Sequence, residues 1–533
     1  RSSGFFSILN MTSTNRLHLL VKNNQQSLIK KGLKGLEKES LRLSSQGFIS
    51  QLAHPSQLGS ALTHPHITTD YYEALLEFIT PPFADINETL GYMHNIHQYV
   101  YDNLDNEHLL ATSMPCGING DESIPIAEYG QSNIGKMKHI YRKGLWHRYG
   151  RTMQAIAGVH FNYSVPEKLW PVLHQLEGSQ DSVEDFKSSA YFDLIRNFQH
   201  RGWLILYLFG ASPAICKNFF KSRPELMAQF EEFDKGTLYQ PYATSLRMSD
   251  IGYKSNNQAE LNIDYNSLNG YVDSLSHAIN TPYPEYENIG VKMNGEYQQL
   301  NSNILQIENE YYSTVRPKQI INPCEKPTLA LKRRGVLYVE IRSLDLDLFN
   351  PIGIDASRAR FIEAFLLCCL LHESPEINED DFKINNSNQL KVALEGRKPD
   401  LELINQHQSM RLYDWANAIL DHMQPICDIL DENETHNYYN QALAEQRKLI
   451  ENPDLTPSAQ ILAALRETQQ PFACFADKIS QQQAKSFTSK TLNAIDTSKF
   501  TQMANESQTK QAEIESNDNL EFDIFLKKYF SQQ

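Results

Sequence analysis

The chain lacks the cysteine pairing, the positive charge and the long apolar runs that mark several protein classes. Its seven cysteines among 533 residues are odd in number and form no C-x-x-C pair, which argues against a disulfide framework or structural zinc and favours a reducing compartment, the cytosol. Lys plus Arg total 49 against 64 for Asp plus Glu, a formal charge of −15, so neither a nucleic-acid backbone nor an anionic membrane is an expected partner. The most apolar stretches, WLILYLFGASPAIC and FIEAFLLCCLL, are shorter than a bilayer needs, and the second carries Glu363. Both read as buried core. A phosphate-binding loop is also missing: GQSNIGKM, Gly130 to Met137, ends without the Ser or Thr of G-x-x-x-x-G-K-[ST], and no apolar strand precedes it. Residues 1–10 have too short an apolar run for a signal peptide and read as a leader or cloning remnant.

What is present is enough for a large core: 41% hydrophobic and 10% aromatic residues suit one big domain or two to three smaller ones. Helical spacing marks Ile86 to Asn103, Ile354 to Leu371 and much of Asp414 to Leu449. Alternation or dense apolar character marks GLEKESLRL, AIAGVHFNYSV, SNILQIENEYY and GVLYVEIRSLDLD as strands. The mixture implies an α/β or α+β protein. After Lys478 the composition turns to Gln, Ser, Thr, Lys and Asn, which predicts a polar, partly helical tail over 479–533 that packs back through Phe522, Ile524, Phe525 and Phe530.

The chemistry lies on the strands. In GLEKESLRL, Glu37 and Glu39 share one face while Arg42 takes the other. In VEIRSLD, Glu340 and Arg342 share a face, and in GVHFNYS a polar stripe of His160, Asn162 and Ser164 opposes Val159, Phe161 and Tyr163. Glu77 sits in an apolar run, and Glu308 and Glu310 repeat the alternate-carboxylate pattern. Each has a plain reading: a solvated face for Glu37 and Glu39, an ordinary ion pair for Glu340 and Arg342, a core histidine for His160. For Glu77 it is a cap or a distant Lys, and for Glu308 and Glu310 a turn. Their sum points elsewhere, because several carboxylates and one imidazole in apolar strand contexts are costly unless a cation collects them. Carboxylates with at most one imidazole suit Mg²⁺, or Mn²⁺, and hard Mg²⁺ commonly works with nucleotide phosphates.

The blocks GLEKESLRL, GSALTHPHITTDYYEALLEFIT, SMPC, YRKGLWHRYG, MQAIAGVHFNYS, YLFGASPAIC, PYATSLRMSDIGY, LQIENEYYSTVRPK, VEIRSLDLDLFNPIGID and LEGRKP resemble, in order, the signature blocks of bacterial glutamate–cysteine ligases. The resemblance runs from about residue 27 to about residue 470. It implies an α+β fold with a cup-shaped antiparallel sheet flanked by helices, similar to the catalytic domain of glutamine synthetases, over residues 11–478. It further implies a stand-alone cytoplasmic enzyme that uses ATP and Mg²⁺ to join the glutamate γ-carboxylate to the cysteine amine through a γ-glutamyl phosphate, the first step of glutathione synthesis. The metal ligands it implies are Glu37, Glu39, Glu77, His160 and Glu340, with Asp70 in addition. Arg342 would meet the transferred phosphoryl group; Arg142 and Arg247 would hold anions, the second the glutamate carboxylate. Asn162 joins the substrate-binding set, and Tyr71, Tyr141, Gln154, Tyr253 and Tyr312 correspond to the cysteine pocket, Tyr71 standing where the family pattern has Phe. A monomer is the expectation, and feedback by glutathione is left open. Two other readings remain at this point: a related carboxylate–amine ligase with another acceptor, and a non-catalytic metal- or nucleotide-binding protein.

Overall fold

The computed structural model describes residues 15–251 and 261–532. Its centre is a seven-stranded antiparallel sheet, and the fold is α+β, a cup-shaped sheet flanked by helices. In chain order the strands are β1 (Leu33–Ser44), β2 (Ile67–Thr69), β3 (Leu75–Ile79), β4 (Glu107–Leu109), β5 (Val159–Ser164), β6 (Val315–Lys318) and β7 (Tyr338–Leu344). Their spatial order is β6-β7-β5-β1-β3-β2, and β4 pairs with the end of β1. Three of the four predicted strands are therefore present. SNILQIENEYY is not one of them: Glu308–Glu310 forms a single 3-10 turn. The chain is pulled out of extended pairing there because both carboxylates turn inward. Glu310 accepts from Arg148 at 2.9 Å and from the Gln306 amide at 2.6 Å, and Glu308 accepts from the Thr328 hydroxyl at 2.6 Å.

The predicted helices are also present: α1 (Ile86–Tyr101), α4 (Ala356–Leu371), and α5 (Leu412–Asp431) with α6 (Tyr438–Glu451). Between α1 and α4 come α2 (Asn133–Tyr149) and α3 (Val183–Arg201). Asp85 and Asp355 cap α1 and α4 by accepting first-turn amides. Helix α4 is buried almost all round, which explains why FIEAFLLCCLL reads as a continuous apolar run. Among the described residues no helix is long and apolar enough to cross a membrane.

Strand β1 carries the architecture. Its even-numbered side chains Lys34, Leu36, Lys38 and Arg42 are all buried, and Lys34 and Lys38 point to the helical layer: Lys34 Nζ lies 2.9 Å from Glu363 of α4, and Lys38 Nζ 2.9 Å from His97 of α1. Glu37 and Glu39, of opposite parity, face the cup.

Residue 478, where the composition changes, lies inside α7 (Phe472–Thr488); α8 (Ala494–Asn517) and α9 (Phe522–Phe530) follow. Helix α9 packs Leu526 and Tyr529 on Met137 and Leu300, with Phe522, Phe525 and Phe530 around them. Ile524 points outward, 47% exposed. The tail also accounts for GQSNIGKM. Ser132 caps α2, the Asp518 carboxylate accepts from the Asn133 amide, and Glu515 accepts from the Gln131 amide at 2.8 Å. The helix start that would cradle a phosphate in a phosphate-binding loop here holds two carboxylates of the chain itself.

Candidate active site

The cup face is assembled by strand register. Cross-strand pairing sets Glu37 of β1 opposite His160 of β5, Glu39 opposite Glu77 of β3, and Asn162 of β5 opposite Glu340 of β7. Directly opposed side chains in an antiparallel pair stand about 5 Å apart, so residues far apart in sequence become one carboxylate stripe. Glu77 thus lies within a strand and not at a helix end, and among the described residues no Lys forms a salt bridge with it.

Glu37, His160 and Glu340 can each offer one donor atom within 4.8 Å of the other two. His160 Nδ1 is 3.0 Å from Glu37 Oε2 and 3.9 Å from Glu340 Oε1. Asn162 Nδ2 donates to Glu37 Oε1 at 2.8 Å and holds that carboxylate in place. With Nδ1 donating to Glu37, His160 Nε2 carries the lone pair, and it is buried without a hydrogen-bond partner, 3.6 Å from Glu39 Oε1. In that neutral form the lone pair and the Glu39 carboxylate repel each other, and a cation between them removes the conflict; protonated, the ring itself supplies positive charge to Glu37, Glu39 and Glu340. Hard oxygen donors with a single imidazole therefore fit Mg²⁺ or Mn²⁺. Glu39 is oriented by the Gly158 amide, which donates to its Oε2 at 2.6 Å.

The titration behaviour of the stripe points the same way. Burial, and then Glu37, Asp70 and Glu39, push the Glu77 carboxyl well above the usual range. Burial likewise raises Glu39, with Asp70 adding repulsion and His160, Arg247 and Arg342 opposing. Burial would raise Glu37 too, and Glu340 repels it, but the His160 hydrogen bond and Lys318 hold it below its ordinary value. Glu340 is held well below despite its burial, by Lys318, Arg342, His160 and Arg316. One end of the stripe has enough positive charge and the other has too little.

The positive end contains residues that the sequence reading passed over. Lys318 Nζ lies 3.2 Å from Glu340 Oε1, and Arg316 sits opposite Glu340 in the ladder. Arg342 Nη1 donates to Glu340 Oε2 at 3.2 Å, and its Nε is buried with no hydrogen-bond partner among the described residues. Arg247 is buried behind it, donating through Nη2 to the Arg342 carbonyl at 2.9 Å, with Nη1 3.9 Å from Asp345. Asp345, another residue not singled out, accepts from the Ala211 amide and the Ser212 and Ser245 hydroxyls. Gly158 is required here, since a Cβ on it would lie 2.2 Å from Arg247 Nη2.

The remaining predicted residues, where described, differ in how far their polar groups are already engaged. Arg142 on α2 donates to the Asp70 and Lys138 carbonyls and stacks over Tyr129 at 4.6 Å. The additional hydroxyl of Tyr71 is used internally, donating to the Arg142 carbonyl at 2.8 Å. Tyr141 is half-buried on α2, Gln154 is buried on a 3-10 turn, and the Tyr312 hydroxyl contacts Met248 Sδ at 2.9 Å. Asp70 adds negative charge beside Glu39 and Glu77. Tyr253 lies outside the described residues. All seven cysteines are free thiols, and the two exposed ones are Cys324 and Cys474.

A carboxylate-lined antiparallel cup with buried arginines at one end has close counterparts among solved structures. The chain superposes on the glutamate–cysteine ligase of Francisella tularensis, solved in complex with AMP, with a TM-score of 0.88 and 36% identity, covering 94% of this chain and 98% of that one. It is a ligase. A profile of the glutamate–cysteine ligase family matches residues 17–392. Among curated relatives, the glutamate–cysteine ligase of Pseudomonas paraeruginosa is 49% identical over 96% of this chain and 97% of its own length. That of Alcanivorax borkumensis is 47% identical over 97% and 98%. The chain belongs to the glutamate–cysteine ligase family. A bifunctional glutathione synthetase from Pasteurella multocida shares the fold, with a TM-score of 0.67 at 22% identity over 96% of this chain and 58% of that one.

Proposed function

We propose that the chain joins the γ-carboxylate of glutamate to the amine of cysteine, driven by ATP, as the opening step of glutathione synthesis. The observation that carries this is the Glu37–His160–Glu340 donor group beside Arg342 in a member of this family. A glutamate γ-carboxylate oxygen attacks the γ-phosphorus of ATP; the bond to the bridging oxygen breaks and ADP leaves, giving γ-glutamyl phosphate. The cysteine amine attacks the acyl carbon, the C–O bond breaks, and phosphate leaves with the new amide formed. Glu37, Glu39, Glu77, His160 and Glu340, with Asp70, hold Mg²⁺, or Mn²⁺; the ion neutralises phosphate charge when bound. Arg342 donates to the transferred phosphoryl oxygens, where preorganised charge stabilises the transition state most strongly.

Arg247 is poised for the glutamate carboxylate, its guanidinium fixed between the Arg342 carbonyl and Asp345. Arg142 spends two of its five N–H donors on the Asp70 and Lys138 carbonyls and keeps Nη2 for an anion, beside the wall that carries Tyr71 and Tyr141. Together with Gln154 and Tyr312 they line the cysteine side, and Asn162 orients Glu37. A monomer is the proposed state, and free thiols suit the cytosol. The test is ADP release with ATP, Mg²⁺ and glutamate, with and without cysteine and a panel of small amines, the product being identified by mass. Cysteine-dependent ADP with γ-glutamylcysteine is expected. ADP release with a different amine moves the function to another carboxylate–amine ligation, and no ADP with any amine removes the ligase reading. Glutathione added to the same assay tests feedback.

A further inference from the structure

A cavity of about 1010 Å³ lies away from the cup, between the C-terminal end of α3, the segment after α4 and one side of α5. Its acidic groups at one end are already matched. Arg16 binds Asp193 at 2.7 Å and Glu177 at 2.6 Å, and Arg196 also pairs with Asp193. At the other end is Arg201, which has no carboxylate partner among the described residues; its contact is Cys368 Sγ, 4.0 Å from Nη1. Cys368 Sγ lies in turn 3.5 Å from His372 Nδ1, and the His372 and His422 rings are 5.0 Å apart. Glu373 and Glu376 also border the cavity, both exposed.

The hydrogen bonding of His372 defines what this end can take. Its Nδ1–H donates to the Cys368 carbonyl at 2.9 Å, so in the neutral ring Nε2 is an acceptor, and Nε2 is buried with no hydrogen-bond partner among the described residues. A ligand must therefore offer negative charge to Arg201 and a proton to His372. A metal cation is repelled by Arg201, and a carboxylate has no proton to give near neutral pH. A hydrogen phosphate group offers both: inorganic phosphate keeps a P–OH at neutral pH, and a phosphomonoester, whose second proton titrates near pH 6, keeps one in its monoanion. Ile377, Ile419 and Met410 give the rest of the cavity an apolar wall, with room for a small organic body.

We propose that this cavity binds a phosphomonoester-type oxyanion, held by Arg201 and His372, separately from the ligase site. Free phosphate and a phosphorylated small molecule share that chemistry, and two probes separate them: radiolabelled inorganic phosphate, and phenyl phosphate as its competitor. Equilibrium dialysis of the full chain without divalent metal should show one saturable phosphate site in the wild type and in Arg342→Gln. Arg201→Gln and His372→Phe should each weaken it about tenfold, a charge-assisted hydrogen bond being lost, while cysteine-dependent ADP release stays unchanged. Two variants are used so that misfolding of one, seen by circular dichroism, still leaves a test. Phenyl phosphate competing more tightly than phosphate itself assigns the site to a phosphorylated small molecule; equal or weaker competition assigns it to free phosphate. The proposal is overturned by absence of a saturable site in the wild type. Retention in both Arg201→Gln and His372→Phe also overturns it, as does loss in Arg342→Gln, which would put the phosphate in the ligase site.

Discussion

The two faces of β1 carry opposite charge and resolve it differently. On the helical side, Lys34 meets Glu363, Arg42 meets Glu107 at 2.8 Å, and Lys38 rests between Ser40 and His97. Each buried cation finds its partner within the chain. On the cup side, Glu37, Glu39, Glu77 and Glu340 gather around His160; Arg342 and Arg247 offset the repulsion at the Glu39–Glu77 end only in part, and the Glu77 carboxyl still sits well above its usual range. A buried charge that is paired internally belongs to the fold; buried charges of one sign left crowded together await something from outside.

Substitutions on the two faces should therefore fail in opposite ways. The largest effect is expected for Glu340→Gln, which removes a donor from the three-residue group: ligase turnover should fall about a hundredfold or more, with a modest fall in melting temperature because Lys318 and Arg342 lose their carboxylate partner. Turnover close to wild type, measured as ADP release, would remove Glu340 from the site. Lys34→Met strands Glu363 in the core and should cost about 3–5 kcal/mol in denaturant unfolding, with turnover per folded molecule retained. The double variant Lys34→Met/Glu363→Leu should recover most of that loss, and failure to do so would mean that the pair is not what matters at this position.

Metal addition should separate the faces further. Mg²⁺ at a hundred times its dissociation constant should stabilise the wild type by about 2.7 kcal/mol, and should do so equally in Lys34→Met but hardly at all in Glu340→Gln. Equal stabilisation in all three would mean that the ion binds elsewhere.

A smaller effect concerns His54, beside Arg42. Burial and then the Arg42 charge push its imidazole down to about 3. Since the unfolded chain titrates near 6.5, it binds the extra proton first as pH falls. The stability contributed by neutral His54 is thus complete above pH 6.5 and is lost progressively towards pH 3. His54→Phe should flatten the fall in stability between about pH 6 and pH 4; an unchanged slope would show that His54 is not held neutral.

Alternation was enough to find β1, β5 and β7 and to place Glu37 with Glu39 and Glu340 with Arg342, because strand parity is a local property. Register is not local. Nothing in ALLEFIT says that Glu77 will face Glu39, and the plain reading of it as a cap followed from seeing one segment at a time. Lys318 and Arg316 were missed because VRPK is a short edge strand whose Pro317 weakens the strand signal. The two carboxylates in LQIENEYY misled in the other direction, since they mimic the β1 pattern and are consumed by Arg148, Thr328 and the Gln306 amide. The resemblance to the family supplied the roles; the fold supplies the reason those residues meet.

The most direct test of the contrast is Mn²⁺ binding followed by electron paramagnetic resonance in the wild type, Glu340→Gln and Lys34→Met. The expected result is a tight site in the wild type and in Lys34→Met that is lost or severely weakened in Glu340→Gln. Unchanged Mn²⁺ affinity in Glu340→Gln would contradict the claim that the cup face of β1 is built to collect a cation.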